Sequence, residues 1–474
     1  MTTHASLALF AVVSAAFAAH AAEPQIRIAF PAAHATVAAD RQTYVIGAVS
    51  PPDSPVTVNG QTVTPWRTGS FLAMVPVTPG TNTLVCQAGT AVLRHPFTVP
   101  GPPPAWDGKT LRVHQPLQPL GMYTGETVRL ACHAPAGLAV SAAVGERTVP
   151  LTAEAGRPTL YAASVRFDAP VEAVPVTFFA PGLGDAPAAP LTARAQWPAL
   201  RITGPLFETR VRSEPGEGDT VGFPPPGLRL QGAGFAGAHT RLWVDGKLRY
   251  VETRLLEPEA GDAALPPRDL ALPDLAAAFG PHPPTNRTPA SLLIVLDPGH
   301  GGPATGALGP SGLAEKEVNL RQARAIKSAL EQAGFRVRMT RESDVDVDLY
   351  ARARIAYTER ADAFISIHHN ATPASANPME ARHVSTYAWN EIGLRLARAI
   401  HPRLAAVTPI RDRGVMTASF AVCRNPAIPS CLLELDFINC PQGEESIQSP
   451  EQQRRVAEAV LAGVREWLAA SRPQ

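Results

Sequence analysis

Histidines and acidic residues recur directly after apolar runs in the C-terminal part of the chain. Residues 296–302 have the sequence LDPGHGG, residues 366–370 are SIHHN and residues 432–436 are LLELD. A fourth polar segment, residues 313–317 (LAEKE), precedes a stretch with helical spacing. Two imidazoles and one carboxylate are a usual ligand set for catalytic zinc, because they leave one coordination position open. The pattern therefore predicts a hydrolytic zinc site where these segments converge.

Zinc suits amide hydrolysis for a definite chemical reason. The ion lowers the pKa of water from about 15.7 towards about 7 and polarises a carbonyl group. A separate carboxylate must then accept a proton from the water and pass it to the leaving amine. The glycines around His300 allow a sharp turn of the backbone and leave room for a substrate.

Apolar runs and helical spacings predict how these side chains are positioned. Residues 292–296 are a continuous apolar run, typical of a buried strand in a parallel sheet. Further strands are predicted at residues 335–339, 363–367 and 431–435. Helices are predicted at residues 317–333, 348–357, 393–404 and around 456–468. Strands that alternate with helices predict a C-terminal α/β domain, residues 291–472, whose central twisted sheet is covered by helices on both faces. Ligands of such folds gather at the carboxyl ends of the strands.

The N-terminal three fifths of the chain predict all-β structure. Asn59-Gly60 and Asp245-Gly246 each separate two short β-branched or aromatic runs, which is the pattern of a hairpin with a type I′ turn. The 49 prolines, about twice the usual share of roughly 5%, fit β modules joined by stiff linkers. The predicted units are an immunoglobulin-like β domain at 23–100, a β-rich domain at 105–199, a small β module at 200–256 and a proline-rich linker at 257–290. We expect these modules to act as spacers or wall-binding units.

Charge and targeting features limit the partners. The 42 basic and 41 acidic residues nearly balance, which argues against nucleic acid and against a polybasic membrane anchor. Residues 1–21 have the short apolar run and the Ala19-His20-Ala21 ending of a cleaved signal peptide. No later run is long enough for stable membrane insertion. We therefore expect a secreted protein, and a periplasmic one because no wall-sorting signal is recognisable.

The five cysteines cannot all pair with one another. Cys423 and Cys431 are candidates for a disulfide in an oxidising compartment. The alternative is that the cysteines are small buried apolar residues.

From about 292 to 468 the chain resembles the zinc-dependent N-acetylmuramoyl-L-alanine amidases of the type-3 family. The matching pieces are, in order, LDPGHGG, GLAEKEVNL, SIHHNA, RGV at 413–415 and PSCLLELDFINCP. The resemblance implies a zinc enzyme that cuts the amide between the lactyl group of N-acetylmuramic acid and L-alanine in peptidoglycan. It also implies that His300, Glu315 and His368 are the zinc ligands and that Glu434 is the catalytic acid/base.

Three of these four residues have an alternative nearby in the sequence. Glu317 is an alternative to Glu315, and it also suits the first turn of a helix. His369 is an alternative to His368, but neighbours in a strand face opposite sides, so only one of the two can ligate. We favour His368, and His369 is then expected either to line the substrate groove or to pack in the interior. Asp436 is expected to face the same side as Glu434, either as an alternative acid/base or as a supporting partner of the site, although the family more often has glycine there. His383 and His401 are expected at the surface or in loops.

Some cell-division members of this family carry a long inserted helix that plugs the zinc site until an activator displaces it. Here residues 372–390, 19 in number, include Pro373 and Pro378 and are too short for such a helix with its connections. We predict an open site that requires no activator.

Two other functions remain open at this point. One is a passive wall-binding protein, and the intact set of His300, Glu315, His368 and Glu434 argues against it. The other is a zinc peptidase that cuts a different amide, and the absence of an HExxH motif weakens it.

Overall fold

A computed structural model describes residues 23–102, 106–259, 266–278 and 288–470. The N-terminal part is built of strands, and the C-terminal part is an α/β domain, as predicted. The predicted signal peptide lies outside the described residues. None of the described helices combines the length and the apolar character needed to cross a membrane.

The first domain, at residues 25–99, contains two small antiparallel sheets with the orders β1-β2-β5 and β4-β3-β6-β7. Val45, Phe71 and Leu84 are among the buried residues of its core. The predicted hairpin is present, and Asn59 and Gly60 have φ values of 50° and 81°. Its likeness to an immunoglobulin domain stays a prediction. The strands are β1 (Gln25–Phe30), β2 (Gln42–Ser50), β3 (Val56–Val58), β4 (Gln61–Val63), β5 (Ser70–Pro76), β6 (Gly80–Ala88) and β7 (Ala91–Val99).

The units predicted at 105–199 and 200–256 share one large sheet, in which β9 pairs with both β15 and β20. The Asp245-Gly246 hairpin joins β21 and β22. The described parts of the predicted 257–290 linker include β24 and the end of β23, so they are not all irregular. The strands are β8 (Arg112–Gln115), β9 (Leu120–Tyr123), β10 (Thr127–His133), β11 (Val140–Val144), β12 (Arg147–Glu154), β13 (Arg157–Arg166), β14 (Val171–Phe179), β15 (Ala186–Arg194), β16 (Ala199–Ile202), β17 (Val211–Arg212), β18 (Thr220–Gly222), β19 (Arg229–Gln231), β20 (Phe235–Ala236), β21 (His239–Val244), β22 (Lys247–Glu252), β23 (Leu256–Pro258) and β24 (Asp269–Leu270).

The C-terminal domain has a mixed sheet with the order β26-β25-β27-β30-β28-β29. The first four strands are parallel, and β28 runs antiparallel to β30. The predictions do not include β28 and β29. The strands are β25 (Leu293–Pro298), β26 (Arg336–Met339), β27 (Ala363–Asn370), β28 (His383–Ala388), β29 (Arg411–Thr417) and β30 (Ser430–Phe437), and the helices are α1 (Glu315–Gln332), α2 (Leu349–Thr358), α3 (Pro378–Ala381), α4 (Glu391–Val407), α5 (Pro441–Gln448) and α6 (Pro450–Ala469).

Both faces of this sheet are covered, which explains why its central strands are apolar throughout. In β25, Ile294 and Leu296 pack into the core formed with α1, α4 and α6, and Val295 packs on the opposite side with residues of α2 and of the 3₁₀ turn Ala421–Cys423. Alternate residues of a strand face opposite sides, so a strand buried on both faces loses the polar alternation of a half-exposed one.

All five cysteines are buried and free. They therefore act as small buried apolar residues, and the disulfide between Cys423 and Cys431 is not formed.

Candidate metal centre

His300 lies in a sharply turned loop directly after β25. Its φ is 62°, a left-handed conformation that is uncommon for a residue with a side chain, and Gly301 and Gly302 also have positive φ values. A methyl group added at Gly299 would overlap the imidazole ring of His368. The glycines therefore allow both the turn and the close approach of the two histidine rings, whose centroids are 5.0 Å apart.

Glu315 is the first residue of α1, and its carboxylate lies between the two histidines. Its Oε2 is 3.2 Å from His300 Nε2, and its Oε1 is 3.0 Å from His368 Nδ1. One ligand atom from each of the three residues lies within 4.8 Å of the others. The structure thus brings together two imidazoles and one carboxylate from segments separated by up to 68 residues.

The carboxylate of Glu315 is held in place by further donors. The Ala307 amide donates to Oε2 at 3.0 Å, and the His369 amide and Asn319 Nδ2 each donate to Oε1 at 3.2 Å. Burial by itself raises the pKa of Glu315, but the hydrogen bonds to His300 and His368 lower it well below its usual value. The group is therefore an anion at neutral pH, as a metal ligand must be.

The alternative residue, Glu317, lies two residues further along α1, where it is exposed and outside this cluster. We expect Glu317→Gln to leave metal affinity and activity within about twofold, because an exposed charge that contacts no ligand contributes little. Glu315→Gln should weaken zinc binding by about 100-fold or more, since the ligand charge is lost. Competitive zinc titration of the two variants measures this difference, and an equal loss in both would contradict the assignment.

His368 and His369 face opposite sides of β27, as the alternation of a strand requires. His368 points to Glu315, whereas His369 is buried with its Nδ1 2.8 Å from Asn319 Oδ1. Burial lowers the pKa of His369 to about 3, so this ring is neutral. Of the two roles expected for His369, the structure supports packing.

Glu434 lies on β30, directly beside His368 of the neighbouring strand. Its Oε2 is buried and has no hydrogen-bond partner among the described residues. Burial, together with the nearby charge of Glu315, raises the pKa of Glu434 well above its usual value. The carboxylate of Glu434 is therefore a stronger proton acceptor than that of an exposed glutamate.

Asp436 does not share this position. It forms a two-pronged ion pair with Arg382, at 2.6 and 2.7 Å, and it is almost fully buried. A register shift between His368 and Asn370 interrupts the pairing of β27 with β30 at this point, so the alternation expected from the sequence does not place both acids alike. His383 and His401, which were expected at the surface or in loops, are instead buried, so this prediction was wrong.

Two buried arginines that the sequence reasoning missed support the His300 loop. Arg352 donates to Asp297 Oδ1 at 2.8 Å and to the His300 carbonyl at 2.9 Å. Arg341 donates to the carbonyls of Pro298 and Gly299, each at 2.9 Å. These contacts hold the backbone in the unusual conformation that presents His300. Arg352 lies on the inner face of α2, which is the only sequence signal for it, whereas Arg341 lies in the loop after β26 and has no such signal.

An open groove of about 530 Å³ leads to these residues. His300, His368 and Glu434 line it together with side chains that differ in character. These include the polar Asp346, Asp348 and Arg352 and the apolar Leu349, Phe420 and Val422. Leu349 and Phe420 are 52% and 41% exposed, so the groove offers apolar surface to a ligand beside its polar end.

The first β domain packs against the loops that follow the two central strands of the site. Tyr44 donates from its hydroxyl to the Thr372 carbonyl at 3.0 Å and accepts from Asn439 Nδ2 at 2.8 Å. Ser70 donates to Glu444 at 3.0 Å, and Glu444 also accepts from Ser311 in the loop before Glu315. The loops that follow His368 and Glu434 thus contact this domain directly. The loop before Glu315 is joined to it through Glu444.

We expect Tyr44→Phe to destabilise the protein by about 1–3 kcal/mol, because the change leaves the buried Thr372 carbonyl and the Asn439 amide without the hydroxyl. Thermal unfolding of the whole chain measures this loss. Thr62→Val in the exposed β3–β4 hairpin is a control that should have little effect. An unchanged midpoint for Tyr44→Phe would show that the contact contributes nothing.

Comparisons with known proteins agree with this geometry. The family model described as N-acetylmuramoyl-L-alanine amidase matches residues 294–466. The uncharacterized protein YqiI of Bacillus subtilis is 34% identical over 197 residues, which are 42% of this chain and 95% of YqiI. The chain belongs to the N-acetylmuramoyl-L-alanine amidase family. The amidase match begins at β25 and ends within α6, so it covers the candidate metal centre and the whole mixed sheet.

Other amidases match the same region. The N-acetylmuramoyl-L-alanine amidase LytC of B. subtilis is 38% identical over 172 residues, which are 36% of this chain and 34% of LytC. The chain therefore spans about a third of the length of LytC. The solved structure of the amidase AmiC2 of Nostoc punctiforme is 34% identical and is covered to 97%, over 38% of this chain, with a TM-score of 0.36.

Proposed function

We propose that this protein is a zinc-dependent N-acetylmuramoyl-L-alanine amidase that hydrolyses the amide between the lactyl group of N-acetylmuramic acid and L-alanine in peptidoglycan. The observation that carries the proposal is the cluster of His300, Glu315 and His368 beside Glu434, at the end of an open groove in an amidase-family domain. His300, Glu315 and His368 would be the ligands and Glu434 the catalytic residue.

The residues present fit zinc. Two imidazoles and one carboxylate are a ligand set that catalytic zinc sites use, and the buried Oε2 of Glu434 has no described partner. Zinc, when bound, supplies a Lewis acid that polarises a carbonyl and makes water a better nucleophile. Asn319 and the amides of Ala307 and His369 would orient Glu315 for this role.

The chain's own residues account for the proton movements. Glu434, as a carboxylate, accepts a proton from the attacking water while the new C–O bond forms at the lactyl carbonyl. The same proton then passes from Glu434 to the nitrogen of L-alanine as the C–N bond breaks, which leaves a lactyl carboxylate and a free amine. Arg352 and Arg341 keep His300 in position during this cycle through its neighbouring carbonyls.

The short α3 helix supports the expectation of an open site. It has only four residues, and the segment around it is fixed by the ion pair of Arg382 with Asp436. The side chains that line the groove come from elsewhere in the domain. We therefore propose that no activator is needed.

A wall digest tests the proposal. Purified full-length protein with zinc should release stem peptides with a free L-alanine amine from isolated peptidoglycan and should leave glycan strands without peptides, as read from product masses. Cleavage inside the stem peptide would favour the zinc peptidase, and binding without products would favour the passive wall protein. Products that appear only after a second protein is added would refute the open site.

The place of action and the role of the β modules are also proposals. We infer secretion, to the periplasm, from residues 1–21, and cell fractionation with an N-terminal sequence of the mature protein tests it. The first domain, whose buried polar contacts join it to the amidase domain, is better described as a support of the site than as a free spacer.

A further inference from the structure

A second cavity, of about 580 Å³, lies in the β module around β17, β21 and β22. It shares no lining residue with the groove. Its charged or titratable lining side chains are Arg210, Arg212, His239, Arg254, Glu217 and Glu252. A concave surface with several guanidinium groups is suited to an anion, provided that its own acids do not neutralise it.

The carboxylates near this cavity are largely engaged with two of its arginines. Glu252 is shared between Arg212, at 3.3 Å, and Arg254, at 2.8 Å. Arg254 also pairs with Glu208 at 2.9 Å. Arg210 forms no direct ion pair with a residue in the described ranges, although the charges of Glu252 and of the exposed Glu217 act on it from a distance. Among the described residues that line the cavity, Arg210 is therefore the arginine that is not engaged in an ion pair.

The amidase domain, which contacts the β module next to this cavity, contributes a further arginine, Arg424. Phe207 packs against Tyr357 of α2, with ring centroids 5.5 Å apart, and Arg354 of α2 donates to the Leu206 carbonyl at 3.5 Å. Tyr350 lies one turn earlier on α2, where its hydroxyl contacts Arg424. Arg424 is only 6% exposed and also has no described carboxylate partner.

The two arginines influence each other across the domain boundary. Burial, and then the charge of Arg210, lowers the pKa of Arg424 to about 10. The Nε atoms of Arg210 and Arg424 are both buried without hydrogen-bond partners among the described residues. Burial and the charge of Arg212 lower the pKa of Arg210 even though Glu252 and Glu217 act to raise it. The local acids therefore do not fully offset the desolvated positive charge, and an anion would relieve the remaining repulsion.

We propose that this cavity binds an oxyanion, with Arg210 as its direct partner and Arg424 adding positive charge from the amidase domain. The guanidinium fork matches the two oxygens of a carboxylate or phosphate. Two sources have this chemistry, namely a carboxylate of a peptidoglycan stem peptide and free phosphate. The first source rests on the proposed function; the oxyanion site itself does not.

The stem peptide is the favoured source because the two elements that carry Tyr350 and Arg424 also line the groove. Leu349 precedes Tyr350, and Val422 lies two residues before Arg424. A peptide that leaves the groove over α2 would meet the β module next. The β module would then contribute to substrate binding by the catalytic domain.

Calorimetric titration of the full-length protein tests the site with two probes, inorganic phosphate and the free tripeptide L-alanyl-D-glutamyl-diaminopimelate. Arg210→Gln should bind the effective probe at least about tenfold more weakly, since a charge-assisted hydrogen bond is lost. The affinity of Arg210→Lys for that probe should lie between those of Arg210→Gln and the unmodified protein. Arg94 is an exposed arginine on the first β domain, so Arg94→Gln should bind the probe as tightly as the unmodified protein does. Unfolding midpoints of all variants show that each is folded.

The two probes distinguish the stem peptide from free phosphate as the bound anion. Tripeptide binding that phosphate displaces, and that esterification of the peptide carboxylates abolishes, supports the stem peptide. Binding of phosphate alone supports the site and rejects the peptide. Equal binding by Arg210→Gln, or no binding of either probe at about 10 mM, overturns the proposal, because such affinity lies below any useful interaction. Hydrolysis of the wall is measured separately, so a protein that binds but does not cleave would reject only the proposed function.

Discussion

Replacing Glu434 by glutamine should reduce wall hydrolysis by about 10³-fold or more, within the range that a general acid/base supplies. Glutamine has nearly the same shape but cannot accept a proton from water or return one to the leaving amine. The His300, Glu315 and His368 cluster does not depend on Glu434, so zinc content should remain near one ion per chain. Product masses over time and metal analysis of the same sample measure both quantities.

Asp436→Asn is the informative comparison for this variant. It changes the other acid of β30, the buried Asp436, which pairs with the partly buried Arg382 rather than facing the groove. We expect a lower unfolding midpoint, because one partner of a buried pair is lost, but near-normal turnover per folded molecule. Near-normal hydrolysis by Glu434→Gln, or loss of turnover in well-folded Asp436→Asn, would show that the two acids were assigned in the wrong order.

The second large effect is expected from the metal itself. A chelator should bring hydrolysis to background, and added zinc should restore it. His300→Ala and His368→Ala should each bind zinc at least about 100-fold more weakly, because each removes one of three ligands from a site whose affinity depends on the full set. Zinc that binds the folded state also raises the unfolding midpoint, and this rise should disappear in both variants.

His34→Asn is the control for the histidine variants. His34 is exposed on the first β domain, and asparagine tolerates its left-handed φ of 61°. It should keep the zinc-dependent rise in the midpoint and the full rate. Hydrolysis that survives complete removal of metal, or zinc affinity unchanged in both histidine variants, would contradict a metal site at this cluster.

Local patterns predicted the C-terminal domain well, because its central strands are buried on both faces. The strands predicted at 292–296, 363–367 and 431–435 all correspond to observed strands, β25, β27 and β30. The strand β28 is buried, but three of its six residues, His383, Ser385 and Thr386, are polar, so it has no apolar run. The strand β29 was missed because it lies at the edge of the sheet and begins with the exposed Arg411, Asp412 and Arg413. Edge strands bury less apolar surface, so the hydrophobic pattern that marks a strand is weak there.

Contacts between distant parts of the chain could not be predicted in the same way. The pairing of β9 with β20 joins two units that had been predicted as separate, and the contact of Tyr44 with Asn439 spans 395 residues. Arg341 binds backbone carbonyls, which every residue possesses, and Arg352 binds carbonyls as well as Asp297, which is 55 residues away in the sequence. No local pattern of side chains reveals these partners. The pairing of Asp436 with Arg382 depends on a register shift that alternation alone does not predict.

The amino-acid sequence by itself determined which chemical groups follow which strands, and it separated His368 from His369, because the two-residue period of a strand is a local property of the backbone. Only the tertiary structure decided that Glu315 rather than Glu317 meets the histidines, that Asp436 turns to Arg382, and that the first β domain supports the site. Such choices depend on which surfaces pack together, and packing joins residues whose positions along the chain carry no local signal of their proximity.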